Sequence, residues 1–166
     1  MNDNIKFQFV NWVDVVGLCN SIYEKMVADC YKPDIIVGLL RGGIIPARIL
    51  CDLLGNDVNL FTIDIKLYNG IGERSEKPII QKFEEDLIRG KKICIVDDVI
   101  DSYVTMNAIL NHLSGENIKT ATLHCKKSSK IRSDYYGEIV DDDKWLVYEW
   151  ERHEFARETK IRSELC

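Results

Sequence analysis

Along the chain, segments in which apolar residues recur at helical spacing alternate with segments whose apolar pattern is typical of strands. Over residues 12–26 the apolar residues recur at helical spacing, and Asn11 precedes them as a candidate N-cap. Residues 35–39 form a β-branched run typical of a strand buried on both faces. Pro46 in a first turn and Gly55 as a stop bound a second helix, 47–54. The same reasoning predicts strands at 58–67, 92–96, 118–125, 135–140 and 145–150, and helices at 106–113 and 151–163.

Strands that alternate with helices predict an α/β fold, with a parallel sheet flanked by helices and joined by right-handed crossovers. The polar stretch 68–77 has neither period and predicts a mobile loop. In open α/β sheets, ligands bind beyond the carboxyl ends of the strands. The residues that follow each strand are therefore the first candidates for a functional site.

Composition narrows the class of protein. A chain of 166 residues, 46% hydrophobic and 30% charged, predicts a single globular domain, 1–166. No apolar run reaches the roughly 20 residues that a membrane span needs, and residues 1–9 do not resemble a secretory signal, so we expect a cytoplasmic protein. The six cysteines are dispersed and are interpreted as reduced core residues. A net charge of -5 disfavours binding to nucleic acid.

The segment from Ile93 to Thr105 carries the strongest candidate chemistry. After the apolar strand come Asp97 and Asp98, and a helix is predicted to begin shortly afterwards. The helix N-terminus offers unpaired N–H groups to an anion, so residues 101–105 can hold a monophosphate with hydroxyls from Ser102 and Thr105. The two carboxylates can accept from ribose hydroxyls or help to hold a hydrated Mg²⁺ ion. The alternative is an acidic turn with an ordinary N-cap.

This segment resembles the signature of type I phosphoribosyltransferases, and the likeness extends over residues 12–154, closest to the archaeal-type hypoxanthine/xanthine-guanine enzymes. Leu40, Arg41 and Gly42 are similar to the pyrophosphate loop of that family, in which the resemblance also suggests a cis peptide. Residues 68–78 match its catalytic loop, so Arg74 and Lys77 are expected to reach the pyrophosphate. Taken alone, these segments are a turn and an exposed polar loop.

The resemblance also assigns residues to the other parts of the substrates. The 5′-phosphate is expected to be bound by Asp101, Ser102, Tyr103, Val104 and Thr105. Asp97 and Asp98 are expected to bind the ribose and to hold Mg²⁺ through water. Asp101 is the candidate catalytic proton acceptor near purine N7. The purine site is expected to comprise Lys126, Trp145, Leu146 and Glu151, where Lys126 donates to O6 and the Trp145 ring stacks on the base. The alternatives are a solvated lysine and a tryptophan that covers the core.

The implied protein is a purine phosphoribosyltransferase, a pentosyl-transferring glycosyltransferase. Phosphoribosyl pyrophosphate and a 6-oxopurine (guanine, hypoxanthine or xanthine) give the nucleoside monophosphate and pyrophosphate, with Mg²⁺ as cofactor, in a homodimer or higher homo-oligomer that serves purine salvage. The resemblance implies a core of about 12–126 and a small C-terminal hood of about 127–155 that recognises the base.

Two residues depart from the pattern of that family. Tyr103 stands where glycine is usual, and Val104 where a small or basic residue is usual. A side chain at the first of these positions adds bulk to the phosphate loop. The alternative function is therefore a nucleotide-binding regulatory protein with little or no activity. A transcription factor and a dinucleotide-binding oxidoreductase are disfavoured, because the chain lacks a basic DNA-binding segment and a G-x-G-x-x-G motif.

Overall fold

The computed structural model describes residues 6–68, 77–80, 88–100, 104–113, 117–129 and 131–159. The strands are β1 (Lys6–Val10), β2 (Ile35–Leu40), β3 (Asn59–Tyr68), β4 (Lys77–Ile80), β5 (Ile93–Ile100), β6 (Ile118–Lys126), β7 (Tyr135–Val140) and β8 (Lys144–Tyr148). The helices are α1 (Trp12–Ala28), α2 (Ile44–Leu54), α3 (Val104–Leu113) and α4 (Arg152–Thr159), and a short 3-10 turn, Glu149–Glu151, precedes α4.

Six strands form one sheet in the order β4-β3-β2-β5-β6-β7. All of its neighbours pair in parallel except β4, which pairs antiparallel with β3 at the edge. This confirms the predicted α/β class with a parallel sheet. β1 and β8 pair in parallel as a separate two-stranded sheet, in which Val10 lies opposite Tyr148.

Both faces of the central strands are buried, because successive residues contribute to different apolar clusters. Ile36 and Cys94 belong to the cluster beneath α1 and α2, whereas Ile35, Val37 and Ile95 belong to the cluster that contains the α3 residue Ile109. β-branched residues fit such strands because their side chains pack well against a pleated surface. Because β2 and β5 are parallel neighbours in the sheet, their carboxyl ends lie side by side. The predicted site falls at these carboxyl ends.

Helix α1 is held at its start by a capping box, in which the side chains of Asn11 and Asp14 each accept from the backbone N–H of the other. The predicted N-cap is thus confirmed. Val15, Cys19, Ile22 and Met26 are buried, whereas Val16, which the periodicity placed among the apolar positions, is 45% exposed. Gly55 ends α2 with φ 109°, as predicted from its position.

Several element boundaries differ from the predictions. The predicted strand 92–96 continues to Ile100, because Ile100 is buried and pairs with Cys125 on β6. The strand predicted at 145–150 ends at Tyr148, where the 3-10 turn begins. β1 and β4 were not predicted, and Lys77, placed at the end of a loop, begins β4 opposite Tyr68. Within the part of the chain that is described, no helix is both long and apolar enough to span a bilayer.

Candidate active site

The loop between β2 and α2 packs directly against Asp97 and Asp98 of β5, which we call the acid pair. A Cβ atom added to Gly42 would lie 1.7 Å from Asp98 Oδ2, and one added to Gly43 would lie 2.4 Å from the carbonyl oxygen of Val96. Neither glycine has a positive φ, so glycine is needed here for close approach and not for a left-handed backbone. The peptide between Leu40 and Arg41 is cis, which the resemblance had suggested.

Asp97 and Asp98 are half-buried and lie in an irregular part of β5. Val96 belongs to the cluster beneath α1 and α2, and Val99 packs against the same cluster, although residues three apart in a regular strand face opposite sides. Side chains supply hydrogen bonds at this point, since Asp97 Oδ1 accepts from Asp98 N at 3.0 Å and Asp98 Oδ1 accepts from Val99 N at 2.8 Å. The acid pair therefore belongs to the end of the strand and not, as predicted, to the segment after it.

The carboxyl groups at this site are held in an environment that disfavours their charge. Burial, with the neighbouring Asp98 carboxylate as the next cause, raises the pKa of Asp97 well above its ordinary value. Burial and the Glu151 carboxylate raise the pKa of Asp98 to about 6. The pKa of Glu151 is itself raised, chiefly by burial. Acids in such surroundings gain most when a ligand brings hydrogen-bond donors or positive charge.

A cavity of about 550 Å³ opens beside the acid pair, between the carboxyl end of β5 and the β8–α4 region. It brings together six predicted site residues: Arg41, Asp98, Lys126, Trp145, Leu146 and Glu151. The remaining lining residues are Val99, Asp142, Asp143, Lys144, Val147, Tyr148, Glu154, Phe155 and Glu158. A cavity of this size accommodates a small organic ligand.

The predicted purine-binding residues occupy distinct places in this cavity. The Lys126 ammonium donates to the backbone carbonyl of Lys144, which directs it along the wall. Trp145 lines the cavity and is 57% exposed, so it is not buried as a cover of the core would be. Leu146 is buried behind it. Glu151 Oε2 accepts from Tyr148 N at 3.4 Å.

Arg41 makes a contact that the sequence did not indicate. Its Nη2 atom lies 3.0 Å from each carboxylate oxygen of Glu154 on α4, and this hydrogen-bonded pair raises the pKa of Arg41. The two residues are 113 positions apart in the chain, and Glu154 was assigned no role in the predicted site. The Arg41 guanidinium of the predicted pyrophosphate loop is thus hydrogen-bonded to the Glu154 carboxylate across the cavity.

The other predicted site residues are placed only in part. Val104 begins α3 and Thr105 is half-buried in its first turn, so the predicted helix N-terminus does follow β5. Asp101, Ser102 and Tyr103 lie outside the described residues, as does Arg74, and the side chain of Lys77 is likewise not described. No group of three or more potential metal ligands is found among the residues that are described.

A parallel sheet whose glycine loop abuts an acid pair, with a tryptophan and a lysine beside them, defines an α/β protein whose candidate site lies beyond the carboxyl ends of its strands. The model of the phosphoribosyl transferase domain matches residues 8–152. The chain therefore belongs to the phosphoribosyltransferase family, whose members are pentosyl-transferring glycosyltransferases. The resemblance found in the sequence is confirmed.

Individual relatives cover most of the chain. Xanthine phosphoribosyltransferase 1 of Saccharomyces cerevisiae is 26% identical over 92% of this chain and 93% of its own. A xanthine-guanine phosphoribosyltransferase of Cereibacter sphaeroides is 31% identical over 70% and 68%, respectively. The crystal structure of a purine phosphoribosyltransferase from Pyrococcus horikoshii Ot3 has a TM-score of 0.75 and 34% identity, and the match covers 87% of this chain and 93% of that chain.

Proposed function

We propose that the protein is a purine phosphoribosyltransferase that transfers the 5-phosphoribosyl group from phosphoribosyl pyrophosphate to a 6-oxopurine in purine salvage. The observation that carries the proposal is the contact between the Gly42 loop and Asp98 at the mouth of the cavity that also holds Lys126 and Trp145. The three groups of residues proposed to bind pyrophosphate, ribose and base are all represented in the lining of this one cavity, which supports the proposal. The relatives named above act on xanthine, guanine or purines, which agrees with this substrate class.

In the proposed reaction, a purine nitrogen attacks C1 of the ribose and the C1–oxygen bond to pyrophosphate breaks through an oxocarbenium-like transition state. The bonding electrons leave with the pyrophosphate oxygen, and the N–H proton that the purine loses passes to Asp101, the proposed acceptor near N7. No side chain forms a covalent intermediate, so catalysis depends on positioning and electrostatics.

The proposed binding roles follow the order of the substrate along the site. The backbone and side chain of Leu40, Arg41 and Gly42 face the pyrophosphate, and Arg74 and Lys77 cover it from the catalytic loop. Asp97 and Asp98 accept from the ribose hydroxyls, and the turn formed by Asp101, Ser102, Tyr103, Val104 and Thr105 holds the 5′-phosphate. The Lys126 ammonium donates to O6, the Trp145 ring stacks on the purine, and Leu146 and Glu151 complete the base site.

Magnesium is the proposed cofactor, and Asp97 and Asp98 would hold it through water. Two carboxylates suit this ion, because Mg²⁺ keeps several waters and takes further oxygens from the phosphates of a substrate. Their raised pKa values agree with a site that lacks positive charge of its own. When bound, the ion would neutralise the leaving pyrophosphate.

The proposed assembly and location complete this assignment. We propose a core at about 12–126 and a base-recognition hood at about 127–155 within one domain. Strand β8 and helix α4 contribute part of the cavity wall. The enzyme is proposed to be a cytoplasmic homodimer or higher homo-oligomer.

The test is a pyrophosphate-release assay with phosphoribosyl pyrophosphate, Mg²⁺ and guanine, hypoxanthine, xanthine or adenine. We expect turnover with 6-oxopurines and none with adenine, which lacks O6. Lys126→Ala should lower kcat/KM roughly ten- to a hundredfold, since a hydrogen bond from a charged donor contributes about 1.5–3 kcal/mol.

Lys127→Ala is the matched control, because Lys127 is the adjacent lysine but pairs with Asp141 at 3.6 Å on the surface. It should leave kcat/KM unchanged. Turnover with adenine alone would refute the role of Lys126. Binding of guanosine monophosphate by calorimetry without any turnover would instead identify a regulatory nucleotide-binding protein.

A further inference from the structure

The side chain of Tyr148 reaches from the two-stranded sheet to the strand that carries the acid pair. Tyr148 is 1% exposed, and its hydroxyl lies 3.0 Å from the carbonyl oxygen of Asp98. The same hydroxyl lies 2.9 Å from Nδ1 of His124 on β6, which is also 1% exposed. A buried chain of three groups therefore ends on the backbone of Asp98.

The direction of each hydrogen bond in this chain follows from its acceptor end. A carbonyl oxygen can only accept, so the single hydroxyl proton of Tyr148 is donated to Asp98. The hydroxyl oxygen must then accept from His124, which carries its proton on Nδ1. Burial lowers the pKa of His124 to about 4, so the ring is neutral and has one N–H to give. Both functions of the Tyr148 hydroxyl are thus used, and its position is fixed.

The peptide that joins Asp98 to Val99 is held from both sides as a result. Its carbonyl accepts from Tyr148, and its N–H donates to Asp98 Oδ1 at 2.8 Å. The Tyr148 ring is in turn stacked on Trp150, with centroids 4.7 Å apart and an angle of 4° between the planes. Because the Asp98 carboxylate bonds to the N–H of this same peptide, the orientation of the peptide sets the direction in which the carboxylate points.

We propose that Tyr148 and His124 are positioning residues of the transfer reaction, which orient the acid pair for the ribose by hydrogen bonding to the Asp98 carbonyl. The inference rests on the proposed function for the identity of the ligand. Neither residue touches the reacting atoms in this scheme, because Tyr148 acts through the backbone of Asp98 and His124 acts through Tyr148.

Tyr148→Phe tests the proposal, since it removes the hydroxyl and keeps the ring. We expect the KM for phosphoribosyl pyrophosphate to rise about tenfold, the equivalent of one neutral buried hydrogen bond. Tyr31→Phe is the matched control, because the Tyr31 hydroxyl also donates to a carbonyl of β5, that of Ile93 at 2.8 Å, but at the opposite end of the strand. The control should lose a similar amount of stability and keep its KM. Equal KM values in the two variants would overturn the proposal.

A second pair of variants separates the hydrogen bond from the bulk of the histidine. His124→Phe keeps a ring but loses the donor, so the KM should rise as it does in Tyr148→Phe. His124→Asn restores an N–H near the place of Nδ1 and should recover most of the loss. Failure of His124→Asn to improve on His124→Phe, in proteins of equal stability, would show that His124 only fills space.

Hydrogen exchange keeps this inference distinct from the proposed function. If the unmodified protein releases no pyrophosphate with any purine, the proposed function fails, and the orientation of the Asp98 peptide is then judged directly. The amide hydrogen of Val99 should exchange about tenfold faster in Tyr148→Phe than in the unmodified protein, because one of the two hydrogen bonds that hold the Asp98–Val99 peptide is lost. Tyr31→Phe should leave this rate unchanged. Unchanged exchange in Tyr148→Phe would overturn the inference.

Discussion

A single added methyl group at Gly42 should disable the site, and this prediction follows from one distance. The Cβ of Gly42→Ala would lie 1.7 Å from Asp98 Oδ2, whereas ordinary contacts at such positions begin at 3.4 Å. The carboxylate or the loop must therefore move by roughly 1.5 Å or more to restore contact distance. Because the obstacle is a side chain that can rotate, we expect a stability loss of only about 1–2 kcal/mol, at the lower end of the range for overpacking.

The functional loss should be much larger than the structural one. A displacement of about 1 Å in a positioned group can cost on the order of a hundredfold in rate, so we expect kcat/KM to fall by about that factor. Binding of phosphoribosyl pyrophosphate, measured by titration calorimetry, should weaken in parallel, because the shifted carboxylate is the one proposed to hold the ribose.

Two other glycines make the comparison specific. Gly43→Ala would meet the backbone carbonyls of Val96 and Leu39 at 2.4 and 2.8 Å, which cannot rotate away, so its unfolding midpoint in urea should be lower than that of Gly42→Ala. Gly17→Ala, in α1, meets no atom within 4 Å and should gain about 0.5–1 kcal/mol with unchanged activity. If Gly42→Ala binds phosphoribosyl pyrophosphate as tightly as the unmodified protein, the acid pair and the glycine loop do not act as one site.

Two further predictions concern charge at the site. Glu154→Gln should free Arg41 and lower the KM for phosphoribosyl pyrophosphate severalfold, whereas Glu149→Gln, which breaks the 3.0 Å pair with Arg152, should not; equal KM values in steady-state assays would contradict this. The raised pKa of Asp98 means that the folded state holds its proton more tightly than the unfolded state, so stability should fall as pH rises from about 4 to about 6. Asp98→Asn should therefore make that decline smaller, and urea unfolding curves that keep the same pH dependence in both proteins would refute it.

The sequence predicted most of the central sheet because local patterns determine those elements. The β-branched run of β2 and the apolar start of β5 are typical of buried strands, and their alternation with helices leaves few topologies. The edge strand β4 was missed for a different reason, since Pro78 within it is a residue that argues against a strand except at an edge. β4 is such an edge strand, a fact that only the pairing with β3 shows.

Long-range pairing explains the other omission. β1 has only five residues, and its partner β8 lies more than 130 residues further along, so its pairing has no local sequence signal. The same limit applies to the contact of Arg41 with Glu154 and to that of Tyr148 with Asp98. Motifs could name Asp98 and Arg41 as site residues, but they could not indicate which distant side chains hold them in place.

The distribution of charge in the cavity decides which ligand forms can enter it. Among the described residues, its wall carries the carboxylates of Asp98, Asp142, Asp143, Glu151, Glu154 and Glu158 and three basic residues, Arg41, Lys126 and Lys144. Arg41 is already paired with Glu154, so this part of the wall has more carboxylates than free bases and repels a bare pyrophosphate. A neutral purine and the hydroxyl groups of a ribose meet acceptors instead. Release of Arg41 from Glu154 would add one positive charge to this wall for a polyphosphate ligand, and the Glu154→Gln experiment measures how much that release contributes to binding.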